Sequence, residues 1–268
     1  KVLIYALGAP LALDWGPLYF PRVSGGLMHS TVMPESALKH AWDGDNTDFN
    51  DPPASSHSTW WFTTNDTFQS FQNSSSSAAS FRAAPEIQMR RTVRLVHPDP
   101  TRPIILVEDQ FMGTNGPTSP MIFTLNQTAT GEVVTPGGKL LPETRWYNWR
   151  DAKSQQLPSS TKPVDLAVGV NRFQFTGQWL IDWDLYVAAA SPQQFTLGNW
   201  GHNWHPSPEI NNFRKAQGRE FEERQHILRL RGRSGFRVLI LPHQKSDSRS
   251  PKLLGLPISS LTLRATTR

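Results

Sequence analysis

The chain has 268 residues, of which 37% are hydrophobic and 18% charged, with a formal net charge of +5 and no cysteine. This composition supplies apolar material for a core and too little charge for a disordered chain, and it excludes disulfides and thiolate metal sites. A metal would have to be held by His, Asp or Glu, and the basic balance favours polyanions: nucleic acid, acidic lipid headgroups or acidic polysaccharide.

Strand signals run the length of the chain. The 22 Pro and 18 Gly suit many short strands joined by turns. KVLIYAL (1–7) and PLALDW (10–15) flank Gly8-Ala9 and predict a hairpin. STWWFTT (58–64), TFQSFQ (67–72) and SFRAA (80–84) follow, with Asn-Asp as a break between the first two. NSSSSAAS (73–80) is low in complexity and is expected to be a loop. EIQMRRTVRLVHP (86–98) alternates with period two: Ile87, Met89, Val93 and Leu95 share one face with Arg91 as the exception. IILVEDQF (104–111) pairs back on it through a DPTRP turn. MIFTLNQT (121–128), RFQFTGQWLIDWDLYVAAA (172–190), EERQHILRLRG (222–232) and FRVLILP (236–242) continue the pattern. Helix signals are weak; PEINNFRKAQG (208–218) has room for a turn or two. AKSQQLPSSTKP (152–163) is the best boundary candidate, but the expectation is one all-β antiparallel sandwich over 1–268. No apolar run is long enough to cross a bilayer. The chain opens directly on a strand without an initiator Met, and reads as the later part of a longer protein; no export signal is visible in it.

Several constellations bear on chemistry. Asp14 ends one strand and His29 opens another; a carboxylate and an imidazole there suit a shared metal or a direct hydrogen bond. His202 and His205 form a His-x-x-His with Trp200 and Trp204 interleaved. That stretch is either an aromatic loop packed on the sandwich or a sugar-binding edge. His40 and His57 stand in polar loops; His97, His226 and His243 look structural or exposed. Asp182 and Asp184 share a face and invite comparison with paired-carboxylate hydrolysis, although a wet strand face with Trp183 and Leu185 buried explains them as well. Glu108 and Asp109 follow an apolar run and read as a turn or rim. Arg90, Arg91 and Arg94, then Arg229, Arg231 and Arg233, are clustered; the second trio alternates, which predicts three guanidiniums on one strand face. Guanidinium forks match sulfate, carboxylate and phosphate, while a solvated sheet face is the plainer explanation. No zinc-finger spacing, helix-turn-helix, Gly-rich phosphate loop or nucleophile elbow is present, so nucleic acid is not an expected partner.

The opening segment, YALGAPLALDWGPLYFP followed by GGLMHSTVM, resembles the start of the sandwich region in the heparinase II/III-like polysaccharide lyases. The matches are Gly8, Pro10, Leu11, Asp14, Gly16, His29, Thr31 and Val32, with Ser30 where that family usually has Asn. MRRTVRLVHPDPTRPIILVEDQFMG is similar to its arginine-led hairpin, and FRVLILPHQ to its late strand. The resemblance implies an N-terminal toroid followed by a large antiparallel sandwich, of which this chain is the sandwich. It implies a zinc site drawing on Asp14 and His29, with a further ligand expected upstream of Lys1. It also implies β-elimination at a uronate unit of an anionic polysaccharide such as a glycosaminoglycan or alginate, in a periplasmic or secreted bacterial enzyme. The catalytic Tyr and His are expected in the toroid, so none of Tyr5, Tyr19, Tyr147 and Tyr186 is assigned, and the chain alone is expected to be inactive. Arg229, Arg231, Trp200, His202 and Trp204 are the residues expected to touch substrate. A non-catalytic carbohydrate-binding or adhesion module is the alternative.

Overall fold

The computed structural model describes residues 4–13, 30, 32–35, 60–69, 72–81, 84–96, 103–112, 117, 119–142, 144–146, 161–177, 179–202 and 223–247. Among them there is no α-helix. The chain begins with a hairpin of β1 (Ile4–Ala6) and β2 (Ala9–Ala12). Its turn is Leu7-Gly8, both at positive φ (53° and 81°), one residue earlier than Gly8-Ala9. Two positive-φ residues give the turn whose twist matches that of the flanking strands, and Gly8 takes this conformation freely where Leu7 does not.

Nine strands form the larger sheet, in the order β10 (Gly138–Leu140), β9 (Val133–Thr135), β13 (Gly169–Phe175), β14 (Ile181–Ala189), β17 (Phe236–Gln244), β7 (Ile104–Met112), β6 (Ala84–Val96), β5 (Gln72–Phe81) and β4 (Trp60–Gln69). The expected loop 73–80 lies inside β5, paired antiparallel with β4 on one side and β6 on the other. Two neighbouring ladders satisfy its backbone donors and acceptors, which outweighs the poor strand propensity of a serine run. The expected break at Asn65-Asp66 falls within β4, opposite Ser75 and Ser76. The smaller sheet runs β11 (Thr144–Trp146), β15 (Gln193–His202), β16 (Glu223–Gly232), β8 (Met121–Gln127) and β3 (Val32–Pro34), with β12 (Val164–Leu166) also on β15. Every pairing is antiparallel except β11 on β15.

The two sheets share one core. Phe173 and Phe175 of β13, Trp183 and Leu185 of β14, and Val238 and Ile240 of β17 meet Phe123 and Leu125 of β8, Phe195 and Leu197 of β15, and Leu228 and Leu230 of β16. Rings lock across the gap: Phe173 stands edge-on to Phe195 at 5.0 Å, and Phe123 lies 5.6 Å from Phe236. Alternation along β13, β14, β17, β15 and β16 sends every second residue into this space, as expected of a sandwich.

Candidate functional site

Both ends of the motif-bearing segment are anchored to one stretch of β8 and the residue just beyond it. The Asn126 amide donates to Ser30 Oγ at 3.2 Å. Two residues on, the Thr128 amide donates to the Leu11 carbonyl at 2.9 Å and the Thr128 hydroxyl to the Pro10 carbonyl at 2.5 Å. Leu11 and Ser30 are both buried. The segments preceding Asp14 and following His29 are therefore held within two strand positions of one another. Asp14, His29 and Trp204 themselves lie outside the described residues, as do His205, His40, His57, His97 and the 208–218 stretch.

A buried ion pair stitches Ser30 to the larger sheet. Arg91 of β6 and Asp109 of β7 are register partners. The guanidinium grips the carboxylate through Nε at 2.6 Å and Nη2 at 2.7 Å. Its remaining Nη1 donates to the Ser30 carbonyl at 3.4 Å, and its plane lies 5.5 Å from the Phe123 ring centre. Asp109 is thus in the core rather than at a rim; its side chain is 0% exposed because Arg91 neutralises it there. The sequence carried half of this signal. Arg91 interrupts an apolar face, and a cation on a buried face needs a carboxylate on the next strand.

The neighbouring pair, Gln127 and His226, face each other across β8 and β16. The Trp183 indole donates to Gln127 Oε1 at 2.7 Å. His226 Nε2 lies 2.9 Å from the Gly131 carbonyl. A carbonyl only accepts, so this nitrogen carries the proton. The ring is fully buried, and burial lowers its pKa to about 4, against the smaller opposing effect of its backbone hydrogen bonds. His226 is therefore a neutral structural imidazole.

Of the expected substrate-contacting residues, Arg229 and Arg231 lie on β16, and positions 200 and 202 lie on its neighbour β15. Arg229 pairs with Thr196, Trp200 with Gln225 and His202 with Glu223, so the backbone gives Trp200, His202, Arg229 and Arg231 one parity. From Arg231 to the position opposite His202 is eight residues, about 27 Å of strand. Arg229 is only 9% exposed, and burial lowers its pKa to about 10. Arg231 is exposed and binds Glu35 through both oxygens, at 2.6 and 2.8 Å, with Gln194 Oε1 at 3.3 Å. The Glu35 hydrogen bonds raise its pKa. Arg233 departs from the expected trio: β16 ends at Gly232, which leaves Arg233 in the turn to β17.

On β14, Trp183 and Leu185 are buried as expected, but so is Asp184, whose carboxylate binds Arg172 at 2.8 Å. Asp182 accepts the Gly177 amide at 2.9 Å and lies 3.7 Å from the Lys245 ammonium. Tyr186, beside Asp184 on that face, has its pKa raised, first by burial and then by the Asp184 charge. A carboxylate sealed against a guanidinium cannot deliver a proton to a glycosidic oxygen, so the two aspartates are not placed as an acid–base pair. Among the described residues no three His, Asp or Glu side chains are grouped to hold a metal.

No family model matches the sequence, and no curated protein matches it. Among solved structures, the chain is similar to the heparan sulfate lyase HepC of Pedobacter heparinus, with a TM-score of 0.45 and 9% identity over 88% of this chain. It is also similar to a heparinase III, with a TM-score of 0.41 and 10% identity over 90% of this chain. The chain spans 29% of the length of each of those proteins.

Proposed function

We propose that this chain is the β-sandwich part of a polysaccharide lyase that cleaves a uronate-containing anionic glycan by β-elimination, and that it forms one wall of the substrate cleft. One observation carries the reading most. Within the two halves of the lyase-like motif, Leu11, three residues before Asp14, and Ser30, one after His29, attach at Thr128 just past β8 and at Asn126 within it. Asp14 and His29 are the chain's own donors for a zinc ion, which would tie two strand ends together; a complete set needs further ligands. Arg231, which is exposed, is the proposed contact on β16, with Trp200 and His202 as further proposed contacts; Arg229 is buried. The span of these contacts suits several sugar units in a row, and guanidinium forks suit their carboxylates or sulfates. The reaction itself needs a base for the C5 proton and a neutralised carboxylate; these groups are assigned outside this chain, in a periplasmic or secreted enzyme.

Affinity electrophoresis through gels holding heparan sulfate, alginate or a neutral glucan tests the reading. The expected result is retardation by an anionic polymer, weakened by Asp14→Ala, His29→Ala and zinc chelation. Retardation that ignores all three changes favours a plain carbohydrate-binding module. Mobility unaffected by any polymer refutes both. The unmixed chain is expected to release no unsaturated uronate, and steady release would overturn the assignment of the base to another part of the protein.

A further inference from the structure

A cleft of about 680 Å3 opens at the end of the larger sheet, where β7 and β14 finish and β13 and β17 begin. Its volume lies in the usual range of small-molecule sites, roughly 300–1,000 Å3. Val170 and Ala188, register partners on β13 and β14, line one side of it, and Phe111 and Met112 at the end of β7 line the other. Arg233 and Arg237 supply the positive charge.

The turn that carries Arg233 is fixed from three sides. Gln193 Nε2 donates to the Gly235 carbonyl at 3.0 Å. The hydroxyls of Ser191 and Ser234 share a hydrogen bond of 2.6 Å. Gly235 has φ of 54° and packs so closely on Asp109 that a Cβ would overlap the Asp109 carbonyl oxygen. Such a turn presents its side chains without an ordering cost on binding.

The charges are also accounted for. Asp109 is neutralised by Arg91. Glu108 is held by its register partner Arg237, through Nε at 3.0 Å and through Nη2, which leaves Arg237 Nη1 unused by that pair. Arg233 is exposed and has no carboxylate partner among the described residues. The net result is a cleft with one surplus guanidinium beside an apolar wall.

We propose that this cleft is a subsite for one oxyanion-bearing sugar unit. The C–H face of the ring lies on Val170 and Ala188, next to Arg237. Its carboxylate or sulfate is received by the Arg233 fork, with Arg237 Nη1 as second donor. Arg233 stands two residues beyond Arg231, in the turn that carries the chain from the smaller sheet to the larger. The inference rests on the proposed function for the ligand class.

Calorimetric titration of the whole chain with a heparan sulfate tetrasaccharide tests it, beside the same tetrasaccharide desulfated and carboxyl-reduced. Arg233→Gln, at an exposed turn position, is expected to weaken binding about tenfold while leaving the thermal midpoint unchanged. Val170→Trp, which fills the cleft from a half-exposed position, is expected to give a similar loss. Disappearance of the Arg233 increment on desulfation identifies the oxyanion as sulfate, and its disappearance on carboxyl reduction identifies it as uronate; either supports the subsite. Wild-type affinity in both variants sinks the subsite and leaves the proposed function standing. Absence of binding by the wild-type chain to all three sugars sinks both.

Discussion

The protonation of His226 sets a measurable limit on acid stability. Its pKa in the folded chain is about 4, against an ordinary value of 6.5. Between those values the unfolded chain binds a proton that the folded chain does not, so stability falls as the pH is lowered through this window and levels off below about 4. A gap of about 2.5 units is worth roughly 3 kcal/mol, most of it lost between pH 7.5 and pH 4.5. The structural cause is plain: the ring is enclosed among β8, β16 and Phe175, and its backbone hydrogen bonds, chiefly to Gly131, do not offset the burial. Urea unfolding at the two pH values, for wild type and for His226→Gln, isolates the effect, because the carboxylates that begin to titrate at pH 4.5 do so in both proteins. Wild type is expected to lose between about 2 and 3 kcal/mol more than the variant. Equal losses would refute the burial argument, as would a His226 Cε1–H resonance that titrates near its ordinary value.

Three further outcomes follow from the packing. Asp109→Ala should cost about 3–5 kcal/mol in urea unfolding by stranding the Arg91 guanidinium, and the double change Arg91→Met with Asp109→Leu should recover most of that loss; a single-variant cost near zero would mean the pair is solvated. Gly8→Ala, at φ of 81°, should cost about 1 kcal/mol, because alanine enters the left-handed region at a penalty glycine does not carry, checked by thermal midpoint. Gly235→Ala should cost roughly 1–3 kcal/mol, since it adds both backbone strain and a clash with Asp109; a stability equal to wild type would show that the turn is not fixed as described.

Much of the architecture is readable in the chain because its strands obey a period of two. β6, β7, β8, β16 and β17 stand where the alternation of Met89, Val93, Ile105, Phe123, Leu228 and Val238 places them. The failures have separate causes. The serine run in β5 owes its strand to the ladders on either side, a non-local effect that no window of sequence contains. The alternation rule also assumes one wet face, and here the second face is partly dry. Leu106, Tyr186, Leu239 and Leu241 form their own buried cluster on the outward side of β7, β14 and β17. The unbroken apolar runs ILV and VLIL were the sign of two-sided burial. Asp184 and Arg229 were read as solvated for the same reason. Of the candidate site, the shared strand face of Arg229 and Arg231 was legible in their alternation. The engagement of Arg231 by Glu35 was not, because 196 positions separate the two in the chain.

The margins of the two sheets differ in a way that bears on how copies of this chain behave at high concentration. The smaller sheet stops at β3 on one side and at the end-to-end pair β12 and β11 on the other, each of three residues, and the last two run in opposite senses along β15. The larger sheet stops at the three-residue β10 on one side. Among the described strands, the terminal strands at these borders are each only three residues long. β4 is different: ten residues, WWFTTNDTFQ, with one ladder unclaimed among the described strands. Among the described strands, β4 therefore offers the longest border for self-association by strand addition, and a lysine or proline placed there is expected to give a better-behaved preparation.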